Sequence, residues 1–384
     1  MTAMRTIAIQ QPPKLVCGRE ASAACSEHLL QRGSQRILFV TGRKTCVFAD
    51  GIAQALRSSG AVCDIYSEVP QEPTIGAYET ALTAARDFQP DTIVGIGGGS
   101  PLDVAKLLAV FVDEQRDISQ FFGIGLVERR HVHLVCMPST SGTGSEVSPN
   151  AILLDEREEL KRGVISPWLV PDATFVDPHF MTSMPAMVTA GTGMDALTHC
   201  IEAYANRFAY PAIDTYALGG IQLISGNLLQ AIQSPGNLDV RENVAIGSLF
   251  GGLCLGPVNT AAVHALSYPL GGRFHVPHGI SNTILLPHVL RFNLPAAPER
   301  YEQIALALGV IRGDTPEATA LAGIERIETL AREAAIPMRL REWGVPSHSL
   351  KEMASAALGV TRLLRNNPRD VTHEDALLLY EAAY

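Results

Sequence analysis

The sequence predicts a two-part fold, an N-terminal parallel-sheet α/β domain followed by an all-helical domain, and three observations carry that prediction. Short apolar runs alternate with helix-period runs as far as residue 185, as strand–helix–strand units of a parallel sheet do. A glycine-rich stretch, GIGGGS at 95–100, follows one apolar run and leads into a helical one. After Pro185 the alternation stops, and helical periodicity continues to the C-terminus. The expected domains are therefore 1–185 and 186–384.

Taken in order, 6–10 and 14–17 read as two strands around the Pro12-Pro13 corner. Residues 36–41 are a short buried-strand run ending at Gly42, with a helical stretch to Ser59. A strand at 62–67 and a helix at 75–88 follow, and 91–96 and 132–137 supply two more strands. The runs 151–154 and 174–176 read as edge strands closing this domain, with Asp172 and Asp177-Pro178 as turn signals. The helical half reads as segments near 186–207, 211–233, 238–254, 261–270, 298–309, 316–335, 349–364 and 373–383. No internal repeat or low-complexity segment interrupts it.

Composition narrows the class. With 384 residues, 47% hydrophobic and 18% charged, the chain suits two domains with a large core. The net charge of −9 and the lack of any basic block argue against nucleic acid and anionic membrane as partners. The N-terminus has no signal-peptide core, and no apolar stretch reaches about 18 residues. Seven scattered cysteines without a C-x-x-C pair point to reduced thiols in a cytoplasmic protein.

Ligands of parallel sheets bind at the carboxyl ends of the strands, and two polar stretches fall there. In GIGGGSPLDVAK (95–106) the glycines would let the backbone approach a pyrophosphate. Ser100 fits an N-cap, Pro101 the first helical position and Asp103 the reciprocal carboxylate of a capping box. The helix N-terminus would then face an anion. A tight strand-to-helix turn needs only one or two glycines. The spacing departs from the Rossmann fingerprint, because Ser100 stands where the third glycine belongs. PSTSGTGSE (138–146) ends the next strand with five hydroxyls, suited to ribose or phosphate oxygens and equally to a polar surface loop.

The helical half carries the other chemistry. Ala190, Met194, Leu197, Ile201 and Tyr204 recur at helical spacing, and Asp195 and His199, four apart, stack on one face of that helix. Such a pair suits a divalent metal, although a salt-bridged surface pair looks the same. His264 and His278 downstream would complete a four-ligand set.

Over essentially its whole length the chain resembles the iron-containing (group III) alcohol dehydrogenases. The resemblance rests on GGGSPLDVAK (97–106), PSTSGTGSEV (138–147), PAMVTAGTGMDALTHCIEAY (185–204), HALSYPLGGRFHVPHGISN (264–282), LLPHVLRFN (285–293) and NPRDVT (367–372). It implies a dehydroquinate synthase-like fold, with a dinucleotide-binding α/β domain, a helical metal-binding domain and the site in the cleft. The metal ligands it implies are Asp195, His199, His264 and His278, with Fe(II) preferred and Zn(II) acceptable to the same donors. It implies that Gly97, Gly98, Gly99, Ser100 and Asp103 form the phosphate loop of NAD(P). Ser139, Thr140 and Thr143 fall on the nicotinamide-side hydroxyls, Lys161 on a cofactor-holding lysine, and Asn150 near the substrate pocket. The implied activity moves a hydride between NAD(P)(H) and a small alcohol or aldehyde, in a cytoplasmic homodimer or higher homo-oligomer. The metal would lower the pKa of the alcohol hydroxyl or polarise the carbonyl.

Two positions depart from the family pattern. Tyr268 stands where a second histidine usually follows the third ligand by four residues, near the reacting carbonyl. The second strand ends in Gly42, followed by Arg43 and Lys44, where the family usually has a ribose-binding aspartate. From that strand end alone, NADP(H) is expected to be accepted at least as well as NAD(H). The remaining histidines read as structural. His275 is not a family ligand, His288 sits at a helix start, and His28, His131, His133, His179, His348 and His373 show no partner pattern. Cys200 points about 100° away from His199, into the core. Maleylacetate reductases share the fold and glycine loop and are the alternative activity. A dehydroquinate synthase-like lyase and a non-enzymatic nucleotide-binding module rank lower.

Overall fold

A computed structural model of the chain describes residues 6–158 and 160–384. They divide into two units. The α/β unit comprises Gln11–Pro185 with Gln233–Leu249; the helical unit comprises Ala186–Ile232 and Phe250–Tyr384 with residues 6–10.

The α/β unit runs β1 (Lys14–Cys17), α1 (Ala21–Arg32), β2 (Arg36–Thr41), α2 (Cys46–Ser58), β3 (Val62–Tyr66), α3 (Ile75–Phe88), β4 (Thr92–Gly97), α4 (Gly99–Phe111), β5 (Gly123–Ile124), β6 (His133–Pro138), β7 (Asn150–Asp155), β8 (Leu160–Ile165) and β9 (Ala173–Val176). Six strands make a sheet in the order β1-β9-β6-β4-β2-β3, with every neighbouring pair parallel. β4 and β6 are buried at every position, which is why TIVGIG and HLVCMP do not alternate with polar residues. α1 and α2 cover one face and α3 and α4 the other, each with its own core. Thr41 pairs with Ile96, and Gly97 with Pro138. The strands therefore finish level, and Gly42, the glycine loop and the Ser139 stretch all leave the sheet at one edge.

The helical unit is built from α5 (Ala186–Tyr204), α6 (Pro211–Gln233), the end of α7 (Leu238–Leu255), α8 (Ala262–Phe274), α9 (His278–Asn293), α10 (Pro298–Ala307), α11 (Pro316–Glu333), α12 (Leu350–Leu358), α13 (Thr361–Leu364) and α14 (His373–Ala383). They enclose a single core to which α5, α6, α8, α9, α11, α12 and α14 all contribute. α5 is buried almost all round from Thr189 to Tyr204, so its two charged acids and its histidine need partners inside the protein. Among the described residues no helix is long and apolar enough to cross a membrane.

Several expectations change. Residues 6–10 form no strand: Ile7 packs against the helical core, Ile9 is exposed, and Pro12-Pro13 offers no ladder donors. The run at 174–176 is no edge strand, because β9 lies between β1 and β6; β7 belongs to a separate three-stranded sheet, β5-β8-β7. α9 was not anticipated. It carries Pro287 inside it and is buried on most sides, so neither a break-free run nor an amphipathic period marks it. His288 accordingly lies within a helix. Near Gly359 the 349–364 segment splits into α12 and α13.

Candidate functional site

α5 presents Asp195 and His199 one turn apart, α8 presents His264, and α9 begins with His278. Asp195, His199 and His264 each offer a donor atom, all within 4.8 Å of one another. From Asp195 Oδ1, the Nε2 atoms of His199, His264 and His278 lie at 3.8, 3.5 and 3.7 Å. These spacings are too long for hydrogen bonds. They match the edges of a tetrahedron, roughly 3.4 Å for metal–ligand bonds of about 2.1 Å. The first three side chains are buried, whereas His278 is 32% exposed, so the group opens toward solvent on one side.

Two residues that sequence reasoning missed complete the surroundings. Glu202 follows His199 by three positions, on the same face of α5, and is buried. Its Oε2 is 2.6 Å from His264 Nδ1, and its Oε1 accepts the Val263 N–H at 2.6 Å. With Nδ1 donating to Glu202, His264 turns the lone pair of Nε2 toward Asp195, the arrangement that orients a metal-binding imidazole. Asn282 follows His278 by four positions on α9. Its Nδ2 donates to Asp195 Oδ1 at 2.7 Å and lies 3.1 and 3.3 Å from the Nε2 atoms of His264 and His278. The i,i+3 and i,i+4 spacings from a candidate ligand were the available signals.

Electrostatics point the same way. Burial alone would raise the Asp195 carboxyl, but His199, His278 and His264 around it hold it well below the usual carboxylate range. Burial alone would lower the His264 imidazole, yet the Glu202 and Asp195 carboxylates push it up to about 9. Two buried carboxylates that draw protons onto the surrounding imidazoles mark a cage that favours positive charge, which a bound cation can supply in place of those protons. The donor set, with no thiolate, fits a divalent metal of intermediate hardness.

Tyr268 lies one turn beyond His264 on α8, with its ring 6.3 Å from that of His278. It borders the donor cluster on the partly exposed His278 side. His275 is the C-cap of α8, in the left-handed region at φ 54°, and stands outside the donor cluster. Cys200 is buried in the core.

In the α/β unit the glycine loop and the hydroxyl stretch meet. Gly97 has φ 154°, and a Cβ there would strike Pro101 at 2.6 Å. Cβ atoms on Gly98 and Gly99 would meet Thr140 and Thr143, the latter at 2.8 Å, so glycine is needed for the two loops to pack. Ser139 N–H donates to Gly97 O at 2.8 Å. The capping box does not form: Gly98 is the N-cap, and the Ser100 hydroxyl donates to Gln71 O. Asp103 instead accepts from the Ser145 hydroxyl and from Ile152 N–H. The fully buried Lys106 ammonium donates to Ser145 O at 2.9 Å and to Asn150 O. Asp103 and Lys106 therefore clamp the hydroxyl stretch onto α4. Lys161 is paired with Glu72 at 2.9 Å, and Asn150 Oδ1 is buried with no hydrogen-bond partner among the described residues. His28 and His133 do have partners: their Nε2 atoms are 3.2 Å apart, and His133 Nδ1 lies 3.1 Å from Asp172. This chain sits where β6 begins, at the end of the sheet opposite the glycine loop.

Comparison with known proteins gives a consistent result. A family model described as iron-containing alcohol dehydrogenase matches residues 12–178, and one described as Fe-containing alcohol dehydrogenase family, C-terminal, matches residues 189–384. Lactaldehyde reductase of Escherichia coli (strain K12) is 33% identical over 372 residues, 96% of this chain and 97% of that protein. Long-chain-alcohol dehydrogenase 1 of Geobacillus thermodenitrificans (strain NG80-2) is 35% identical over 358 residues, covering 92% of this chain and 90% of the relative. A crystal structure of 1,3-propanediol oxidoreductase superposes with a TM-score of 0.95 at 33% identity, covering 99% of this chain and 100% of that one.

Proposed function

The chain belongs to the iron-containing alcohol dehydrogenase family, and from that premise we propose how its own residues divide the work of an NAD(P)-dependent alcohol oxidoreductase. Residues 186–384 would hold one divalent metal through Asp195, His199, His264 and His278, with iron preferred to zinc. Residues 1–185 would hold the dinucleotide through Gly97, Gly98, Gly99 and Ser100 at the phosphates, with Ser139, Thr140 and Thr143 toward the nicotinamide. The observation that supports this best is the set of 3.5–3.8 Å spacings around Asp195 Oδ1, with Glu202 fixing the His264 tautomer.

When bound, the metal supplies Lewis acidity that acidifies a hydroxyl or polarises a carbonyl, and the nicotinamide exchanges a hydride with the carbinol carbon. The chain's contribution is position. Glu202 and Asn282 hold the donor atoms in place, and the Asp103–Lys106 clamp fixes the hydroxyl stretch against the glycine loop. Tyr268 has a phenol that can donate a hydrogen bond. Lys161 would serve the cofactor only by leaving Glu72 or by acting alongside it. Asp103 supports the cofactor loop from behind.

The proposed substrates are small primary alcohols and their aldehydes, and the proposed assembly is a cytoplasmic homodimer or larger homo-oligomer. The seven thiols, all free, suit a reducing compartment. The test is a panel of short aldehydes, lactaldehyde and maleylacetate among them, with NADH and NADPH and protein reconstituted with Fe(II) or Zn(II). Reduction of maleylacetate alone would reassign the activity. His264→Ala should lose metal and turnover together. Full metal content with unchanged turnover in that variant would remove His264 from the ligand set.

A further inference from the structure

The end of β2 has no carboxylate of its own, yet the fold brings one there. Gly42, one residue past β2, forms an antiparallel backbone bridge with Glu68, two residues past β3. Val69 N–H donates to Thr41 O at 3.4 Å and ties the same segments together again. The Glu68 carboxylate accepts from the Arg43 guanidinium, from Nε at 2.9 Å and from a terminal nitrogen on the same oxygen. Both side chains face solvent, at 80% and 51% exposure. Because Thr41 pairs with Ile96, this ion pair stands at the carboxyl end of the strand beside the glycine loop.

We propose that Glu68 selects NAD(H) over NADP(H) in this protein, reaching from β3 the place that a strand-end aspartate occupies from β2. The inference rests on the reading of this sheet edge as the dinucleotide site. Glu68 acts twice. Its carboxylate can accept hydrogen bonds from the adenosine ribose hydroxyls and repels a 2′-phosphate. It also engages the guanidinium that would otherwise attract that phosphate in bidentate fashion. Gly42 contributes by leaving the approach open. A Cβ there would sit 3.5 Å from Val69 O and 3.8 Å from Thr45 Oγ1, ordinary contacts, so packing does not require the glycine. This proposal runs opposite to the expectation drawn from the strand end alone, that NADP(H) is accepted at least as well.

The test is direct titration of the metal-loaded full chain with NADH and with NADPH, following nicotinamide fluorescence, together with the ratio of kcat/KM for the two cofactors. The unmodified protein is expected to bind NADH the more tightly. Glu68→Gln should move the Kd ratio toward NADPH by roughly tenfold or more, the size of one charge contact in a specificity site. Adding Arg43→Gln to Glu68→Gln should remove most of that gain. A wild-type preference for NADPH, or a Glu68→Gln ratio within about twofold of wild type while both cofactors bind, overturns the assignment of Glu68. A gain that survives loss of Arg43 overturns the paired mechanism. If neither cofactor binds any form, the dinucleotide reading of the sheet edge fails, and this proposal fails with it.

Discussion

At the scale of single residues, the proposed metal site depends on atoms one step removed from the donors. Glu202 is buried and satisfies both His264 Nδ1 and Val263 N–H, so it sets which imidazole nitrogen remains free to bind. Glu202→Gln keeps the shape but can present an amide N–H instead of an oxygen to His264. Partners of this kind contribute about 10- to 100-fold in metal affinity, and a loss of that size is expected in chelator competition. Retention of wild-type affinity would make Glu202 a packing residue only. Tyr268 gives a second residue-level prediction. Tyr268→His should keep its metal but change the pH–rate profile, because it introduces an imidazole, whose charge changes near neutrality. Identical profiles and aldehyde preferences would restrict Tyr268 to packing beside His278.

At the scale of elements, the site exists because α5 and α9 cross almost backbone to backbone. A Cβ at Gly279 would lie 2.1 Å from Gly191 O and 3.2 Å from Asp195 Cβ. No rotamer change relieves a clash with a carbonyl, so the helices must separate. Gly279→Ala is expected to cost about 3 kcal/mol or more, the upper end of overpacking, seen as a Tm lower by several degrees. Because α5 carries Asp195 and His199 while α9 carries His278, bound metal measured by elemental analysis should fall as well. An alanine variant with wild-type Tm and metal content would contradict the crossing described for these helices.

At the scale of the whole molecule, stability should carry a pH signature from Glu146. Burial pushes this carboxyl up to about 7, with a backbone hydrogen bond and Lys106 only partly opposing it. The folded state therefore holds a proton that the unfolded chain releases near its ordinary value of 4.5. The contribution is fully present below about pH 4.5 and declines as pH rises through 7. Against wild type, Glu146→Gln should gain stability between pH 5 and pH 8, by up to about 3 kcal/mol for a shift of this size. Denaturant unfolding of both proteins at the two pH values measures the difference, and parallel curves would show that Glu146 is ionised in the fold.

The sequence by itself determined the class and most elements of this protein, because burial periodicity and glycine placement are local properties. β2, β3, β4 and β6 of the parallel sheet and the helix bearing Asp195 and His199 were legible from spacing, whereas His264 and His278 stood out as ligand candidates through the resemblance to a family. What required tertiary structure were partners brought together from distant positions. β9 became an interior strand through pairing on both sides, and α9 formed despite Pro287 because its neighbours bury it. Asp103 left its capping role once Ser145 and Ile152 came within reach, and His28 found His133 across 105 positions. The carboxyl end of the sheet shows the difference most sharply. Gly42 reads as a missing charge in the chain, whereas in the fold Glu68 is bridged to it from the neighbouring strand. Local pattern fixes which atoms a residue owns, but a charge acts through space, and only the pairing of β2 with β3 decides where it acts.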